Sequence, residues 1–324
     1  MATSTIENET SPEVEYRITY LAQITTILAV IFPFVGLVAA AILLWPSGFH
    51  WTTLGVFVGT YLLTGLGITV GYHRLFTHRS FETNRFVEGV LAIMGSMAFL
   101  GPLFNWVAVH RRHHQHSDKP GDPHSPHTHG HTVWGVIRGF WHAHMGWFLS
   151  TKAIDLSRYI KDLRQSRFLR CINGLFLLWV LLGLAIPTLF GWWLIGGWTG
   201  ALLGFLWGGP VRIFIQHHVT WSINSICHWW GQQPYKNVDH SKNNAVFGVL
   251  ALGEGWHNNH HAFPTSARHG LRWWQIDISY YFIKLLTWFR LAKNVKVPSA
   301  SLIEQSKVDL KPSKLEEAKH EIAV

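Results

Sequence analysis

Gly253-Glu254-Gly255-Trp256-His257-Asn258-Asn259-His260-His261 carries three histidines at i, i+3 and i+4. On an α-helix those offsets put all three imidazoles on one face, within about one turn. A second copy of the pattern lies far upstream at His110-Arg111-Arg112-His113-His114, and a wider cluster at His73-Arg74-Leu75-Phe76-Thr77-His78. Imidazole is the commonest protein ligand for mid-row transition metals. Three such clusters separated by long apolar stretches predict one polynuclear metal site assembled by folding.

The stretches between the clusters are membrane-like. Charged residues make up 14% of the 324 residues, against about a quarter in soluble proteins. Residues 24–45 and 51–70 contain no charge and are each long enough to cross a bilayer, which takes about 20 residues. Pro46-Ser47-Gly48 is the turn between them. Leu175–Gly191 and Trp192–Gln216 form a second apolar hairpin, with a break expected near Gly191. Of 27 Lys and Arg, 13 fall between 71 and 172 and 12 after 217, while the two short turns hold none. By the positive-inside rule both termini and every histidine cluster face the cytosol. The +9 charge is therefore a membrane pattern, and nucleic acid is excluded as a partner. Cys171 and Cys227 form no CxxC and read as reduced thiols.

Residues 87–109 are apolar, but a crossing there would put the first and second clusters on opposite sides of the bilayer. The segment is expected to be interfacial or re-entrant. Residues 121–135 read as a flexible Pro/Gly/His loop, and residues 271–291 as an aromatic interfacial helix. The expected fold is an all-α membrane protein: four transmembrane helices in two hairpins, with a cytosolic helical cap carrying a di-metal site. Residues 1–20 are a polar cytosolic tail, 21–295 the membrane domain, and 296–324 a flexible tail.

In each HxxHH cluster the first histidine and the adjacent pair can grip a metal from one helical face. His73 and His78 are about 140° apart on an ideal α-helix. They either serve different metals or sit where the helix unwinds. Asn224 and His228 add an i, i+4 pair beyond the last span. Nine histidines are too many for one structural zinc, which takes four ligands, and two metals match the number. Iron suits a nitrogen-rich site for oxygen chemistry beside a membrane.

These motifs resemble the integral-membrane fatty acyl desaturases, above all the delta-9 group typified by stearoyl-CoA desaturase. The resemblance covers roughly residues 20–295 and rests on Gly71-Tyr72-His73 through Ser80, the His110 cluster, Asp122-Pro123-His124, and Gly253 through Pro264. It implies two non-haem iron ions held by His73, His78, His110, His113, His114, His228, His257, His260 and His261, with Asn224 binding through water. It also implies O2 as co-substrate, a saturated fatty acyl substrate, and a cis double bond, by analogy at carbon 9, with water as co-product. No cytochrome b5-like His-Pro-Gly-Gly segment occurs in the chain. The expected electron donor is thus a separate ferredoxin or cytochrome b5 with its reductase. Trp106 and Thr220 match family residues at the bend of the substrate tunnel, where a glutamine of the animal enzymes is Leu100. Val109 replaces an aspartate near the headgroup, and of an Arg-Lys pair only Lys152 remains as a candidate headgroup contact. These departures weaken acyl-CoA and leave an acyl chain on a membrane lipid or carrier protein open. The expected location is a bacterial plasma membrane rather than the endoplasmic reticulum.

Other histidines are assigned milder roles. His116 and His124 are expected to orient ligands, and Glu254 and Asp118 to bond ligand imidazoles. His142, His144, His217 and His218 are supporting or packing residues. Two competing functions are a membrane di-iron fatty acyl hydroxylase and a non-enzymatic membrane metal-binding protein. Spans nearly free of ionisable groups argue against the second.

Overall fold

The structure is a computed structural model, and it describes residues 15–44, 51–150 and 152–308. The turn expected at Pro46-Ser47-Gly48 and most of both terminal tails lie outside the described residues.

The chain is mostly helical. Strand β1 (Glu15–Arg17) precedes α1 (Tyr20–Leu44) and α2 (Trp51–Leu66), and α2 runs directly into a π-helical stretch, Gly67–Thr77. After β2 (Glu82–Thr83) come α3 (Arg85–Ser96), α4 (Leu103–His116) and α5 (Val133–His144). Strand β3 (Lys152–Ile154) leads to α6 (Lys161–Gln165), α7 (Arg167–Gly174) and α8 (Phe176–Gly191). Next are α9 (Gly197–Leu206), α10 (Arg212–Ser225), α11 (Ala245–Leu250), α12 (His257–Ala262), α13 (Ile278–Trp288), β4 (Ala292–Lys293) and α14 (Ala300–Gln305). Two short antiparallel ladders, β1–β3 and β2–β4, supplement the all-α expectation.

Among the described residues, three helical stretches are long and apolar enough to cross a membrane: Tyr20–Leu43, Trp51–Thr77 and Phe176–His228. The last runs 53 residues, but it is not straight. Gly196 and Gly197 adopt φ of 99° and 61°, a conformation that glycine reaches without steric cost. There the chain reverses and α9 packs back on α8. The break expected near Gly191 thus falls five residues later. Gly191 is needed for contact instead, since a Cβ on it would lie 2.2 Å from the Gly200 carbonyl oxygen. Gly204 faces Pro187 at the same 2.2 Å. Small residues let backbones meet where lipid supplies no hydrophobic drive between helices.

Residues 87–109 contain no helix long and apolar enough to cross a membrane. Phe99 and Gly101 take positive φ, and the segment folds as two helices, α3 and α4, both packed on the π-helical stretch. The buried Arg212 guanidinium donates to the carbonyls of Met97, Gly183 and Gly208. His217 bonds the Ala98 carbonyl. Both side chains satisfy backbone that the break strips of helical partners.

Two further expectations change. Of residues 271–291, expected as one helix, only α13 is a regular helix, capped by Asp277, whose carboxylate accepts from the Tyr280 N–H. Residues 296–308, expected to be part of a loose tail, are held by the rest of the chain. Lys296 donates to the Ser80 carbonyl, α14 is regular, and Val308 donates to the Pro234 carbonyl.

Replacing Gly204 with valine places methyl groups against the Pro187 carbonyl. The expected cost is about 1–3 kcal/mol, read as a lower thermal midpoint in detergent. A midpoint equal to the parent's would contradict the close packing of α8 and α9.

Candidate metal centre

The π-helical stretch resolves the awkward spacing of the first cluster. A π-helix closes each turn with an i→i+5 bond, so residues five apart lie above one another. The His78 N–H donates to the His73 carbonyl at 3.1 Å, and the two rings sit 4.7 Å apart. They share a face and a centre. The expectation of different metals is replaced by its alternative, local departure from α-geometry.

His73, His78, His110, His114 and His260 form one group with donor atoms within 4.8 Å of one another. His113, His228, His257 and His261 form a second. The i, i+3, i+4 pattern therefore does not grip one ion per helix. On α4, His110 and His114 serve the first group and His113 the second. On α12, His257 and His261 serve the second group and His260 the first. Each helix straddles both centres. The rings of His113 and His114 are 5.6 Å apart, so the groups adjoin.

The imidazoles point Nε2 inward. Nε2 of His260 is 3.1 Å from that of His73 and 2.9 Å from that of His114. The same spacing separates His110 from His114, at 3.1 Å, and His228 from His257, at 3.0 Å. Nitrogens bound at right angles at about 2.1 Å from a metal would be about 3.0 Å apart. Nε2 of His78, His113 and His261 is buried with no hydrogen-bond partner. Such orphaned groups are costly unless something binds them. Convergent lone pairs, orphaned acceptors and an all-imidazole donor set fit a pair of transition-metal ions.

The outer nitrogens are held by carboxylates. Nδ1 of His73 meets Glu254 at 2.5 Å, His228 meets Asp118 at 2.8 Å, His261 meets Asp239 at 2.7 Å and His113 meets Asp122 at 3.0 Å. A carboxylate accepting from Nδ1–H leaves the lone pair on Nε2. Burial opposes charge on Asp118, Asp122, Asp239 and Glu254, yet their hydrogen bonds and neighbouring histidines keep them below the usual carboxylate range. Burial, then mutual repulsion, keeps His78, His110, His114, His257, His260 and His261 well below the usual histidine range. These rings are neutral near pH 7, the form that binds metal. His113 is the exception, since burial lowers it but Asp122 more than compensates.

Asn224 lies on α10 one helical turn before His228. It lines a cavity with His73, His110 and His257. Trp106 and Thr220 line the same cavity, as do Leu100, Val109, Tyr61 and Leu252. Trp106 stacks on His110 with centroids 5.0 Å apart. Lys152 begins β3, opposite Arg17, and its side chain lies outside the described residues.

Among the milder assignments, Glu254 and Asp118 bond ligand-cluster imidazoles, and His124 contacts His113 at 4.4 Å. Burial and then His113 push the His124 pKa down to about 3. His116 joins no histidine group among the described residues and packs beside Gly121. His144 and His218 bond each other at 3.0 Å, outside both groups. His127 is not part of a loose loop, because it bonds the His228 carbonyl and stacks on Trp229. Two residues escaped the sequence reading. Asp239 lies 22 residues from its partner His261, and no spacing rule links them. His269 contacts Glu254 at 3.3 Å, and a lone histidine in an irregular segment has no periodic signal.

The fatty acid desaturase family model matches residues 49–280. The chain belongs to the fatty acid desaturase family. Among relatives of this desaturase, the hex-5-enoyl-[acyl-carrier protein] acetylenase of Moorena producens is 42% identical over 86% of this chain and 87% of its own. The sn-1 stearoyl-lipid 9-desaturase of Synechocystis is 39% identical, covering 85% and 82%. The acyl-CoA C20 Delta5-desaturase of Anemone leveillei is 39% identical, covering 82% and 81%. The desaturase is accordingly an oxidoreductase of lipid metabolism, with histidine groups able to hold metal.

Changing Asp239 to alanine frees the outer nitrogen of His261. Metal affinity should fall about 10- to 100-fold, measured by chelator competition. For the metal-free chain, histidines with lowered pKa bind protons only when unfolded below about pH 6.5. Stability is therefore full above that pH and falls as pH drops. The depressed carboxylates add to the loss below about pH 4. The thermal midpoint of chelator-treated protein should decline from pH 7 to pH 5, and a flat profile would contradict the buried neutral cluster.

Proposed function

We propose that the chain is an O2-dependent desaturase that introduces a cis double bond at carbon 9 of a saturated acyl chain esterified in a membrane lipid. The observation that carries this reading is the pair of inward-facing imidazole groups at the wall of a narrow, mainly apolar cavity. Two non-haem irons would be held by His73, His78, His110, His114 and His260 on one side and His113, His228, His257 and His261 on the other, with Asn224 contributing through water. When bound, the iron pair supplies the oxidising power that removes two hydrogens, with O2 as oxidant and electrons from a separate ferredoxin or cytochrome b5.

The protein supplies position. Adjacent methylenes are chemically alike, so only geometry selects a carbon. Trp106, held flat on His110, and Thr220 would fix the chain beside the metals, while Tyr61, Leu100 and Leu252 exclude water. The carboxylates of Glu254, Asp118, Asp239 and Asp122 keep the imidazoles oriented. Val109 in place of a headgroup aspartate disfavours a nucleotide headgroup, and relatives named for stearoyl-lipid agree with a lipid-borne substrate. Lys152 is the candidate contact to a headgroup phosphate.

We further infer four crossings, formed by α1, by α2 with its π-helical extension, by α8, and by α9 continuing into α10. The basic residues put the histidine side in the cytosol, and a bacterial plasma membrane is the expected location.

The test is the acyl profile of a host expressing the chain, with double bonds mapped by mass spectrometry and His257→Ala as control. A new 9-monoene in membrane lipid, absent with the variant, is the expected result. Hydroxy acids would instead support a di-iron hydroxylase. An alkyne from an unsaturated precursor would support the acetylenase chemistry named for one relative. An unchanged profile with zinc alone bound would support a metal-binding protein.

A further inference from the structure

Lys161, Arg164, Arg167 and Arg170 recur at every third position before α8, and all four are exposed. Asp162 is the only acid between residues 156 and 175. It is held by Arg111, at 2.8 and 3.0 Å, and by Arg79. Asp155 lies just before the run and interacts with Arg164, so the four basic residues against these two acids leave the run net positive. Six residues after Arg170 the apolar α8 begins, the start of the longest membrane-competent stretch among the described residues. A cluster of this size next to a membrane helix sits at headgroup level, and each basic residue strengthens attraction to an anionic surface roughly fivefold.

An apolar groove opens beside this run, between α3 and α7. Its lining is Arg85, Phe86, Gly89, Val90, Ile93 and Phe168. Phe86 is 76% exposed and Phe168 39%, which is unusual for phenylalanines flanking one groove. Phe86, Val90 and Ile93 follow at i, i+4 and i+7 along α3, one helical face. Gly89 makes the floor, and a Cβ there would stand 2.6 Å from the Phe168 ring. From Arg85 to Ile93 the helix rises about 12 Å. One end of the groove carries Arg85, which interacts with Glu88, and the rest is apolar.

We propose that this groove binds an acyl chain of a membrane phospholipid with net negative headgroup, its phosphate held by Arg85 and the Lys161–Arg170 run. The inference rests on α8 entering the bilayer and does not depend on which acyl substrate is desaturated. A soluble acidic electron donor would satisfy the charges but leave the aromatic groove open to water, so the lipid is the better occupant.

The full-length protein, purified in mild detergent and stripped of lipid, should be titrated with phosphatidylglycerol and phosphatidylcholine of identical chains, with bound lipid counted by native mass spectrometry. Phosphatidylglycerol should bind more tightly, and 0.5 M salt should erase most of the difference. The combined change Lys161→Ala, Arg164→Ala and Arg167→Ala should weaken phosphatidylglycerol about 100-fold and phosphatidylcholine, whose phosphate is balanced by its own choline, far less. Val90→Trp, which fills the groove, should weaken both. Circular dichroism melting checks that each variant is folded, and the salt titration tests the idea on the unaltered chain. Equal affinity for the two lipids overturns the proposal. So does unaltered phosphatidylglycerol binding by the triple variant, and if that variant instead loses turnover with an acidic ferredoxin, the run is a protein dock.

Discussion

Nine imidazoles packed against one another in a dry interior are tolerable only if most are uncharged and their lone pairs have something to bind. That constraint governs the rest of the molecule. Protonated rings at centroid separations of 4.4 to 6.2 Å would repel strongly where water cannot screen them. Burial keeps six of them neutral, and four carboxylates fix which nitrogen carries the proton. The cost of so much buried polarity is offset where Nε2 atoms converge on two adjoining points, which is what a metal pair requires.

Helices supply the rigidity this arrangement demands, and two of them are distorted for it. The π-helical turn at Gly67–Thr77 brings His73 and His78 onto one face. The break between α3 and α4 returns the chain so that α4 lies against that same turn. Its buried carbonyls at Met97 and Ala98 are held by Arg212 and His217 from α10. α10 ends at the Asn224–His228 pair, so one helix secures the bend that presents the second cluster and contributes to the centre itself.

The carboxylates extend this support into the cap. Glu254 bonds His73 and Arg74, and Arg74 also pairs with Asp277 at 2.9 Å. Asp277 in turn caps α13 and accepts from the backbone of His269 and Gly270. A chain of charge-assisted bonds thus runs from the histidine cluster to the aromatic surface helix. Fully satisfied networks of this kind are rigid, and each member is costly to remove alone.

The ligand-type residues were legible in the chain because chemistry of this kind needs many histidines, and helical spacing advertises them. All nine expected imidazoles lie in the two groups, and Asn224, Trp106 and Thr220 line one cavity with them. The apolar runs were legible because a bilayer demands about 20 uncharged residues. The tertiary structure alone decided how the nine divide, since a helix straddling two centres has the same sequence as one gripping a single ion. It also decided that the first cluster sits on a π-helix, that the hairpin turns at Gly196-Gly197 and not at Gly191, and that Asp239 reaches His261. Periodicity encodes which side chains share a face of one element. Which face meets which neighbour depends on packing between elements distant in sequence, and no local spacing records it.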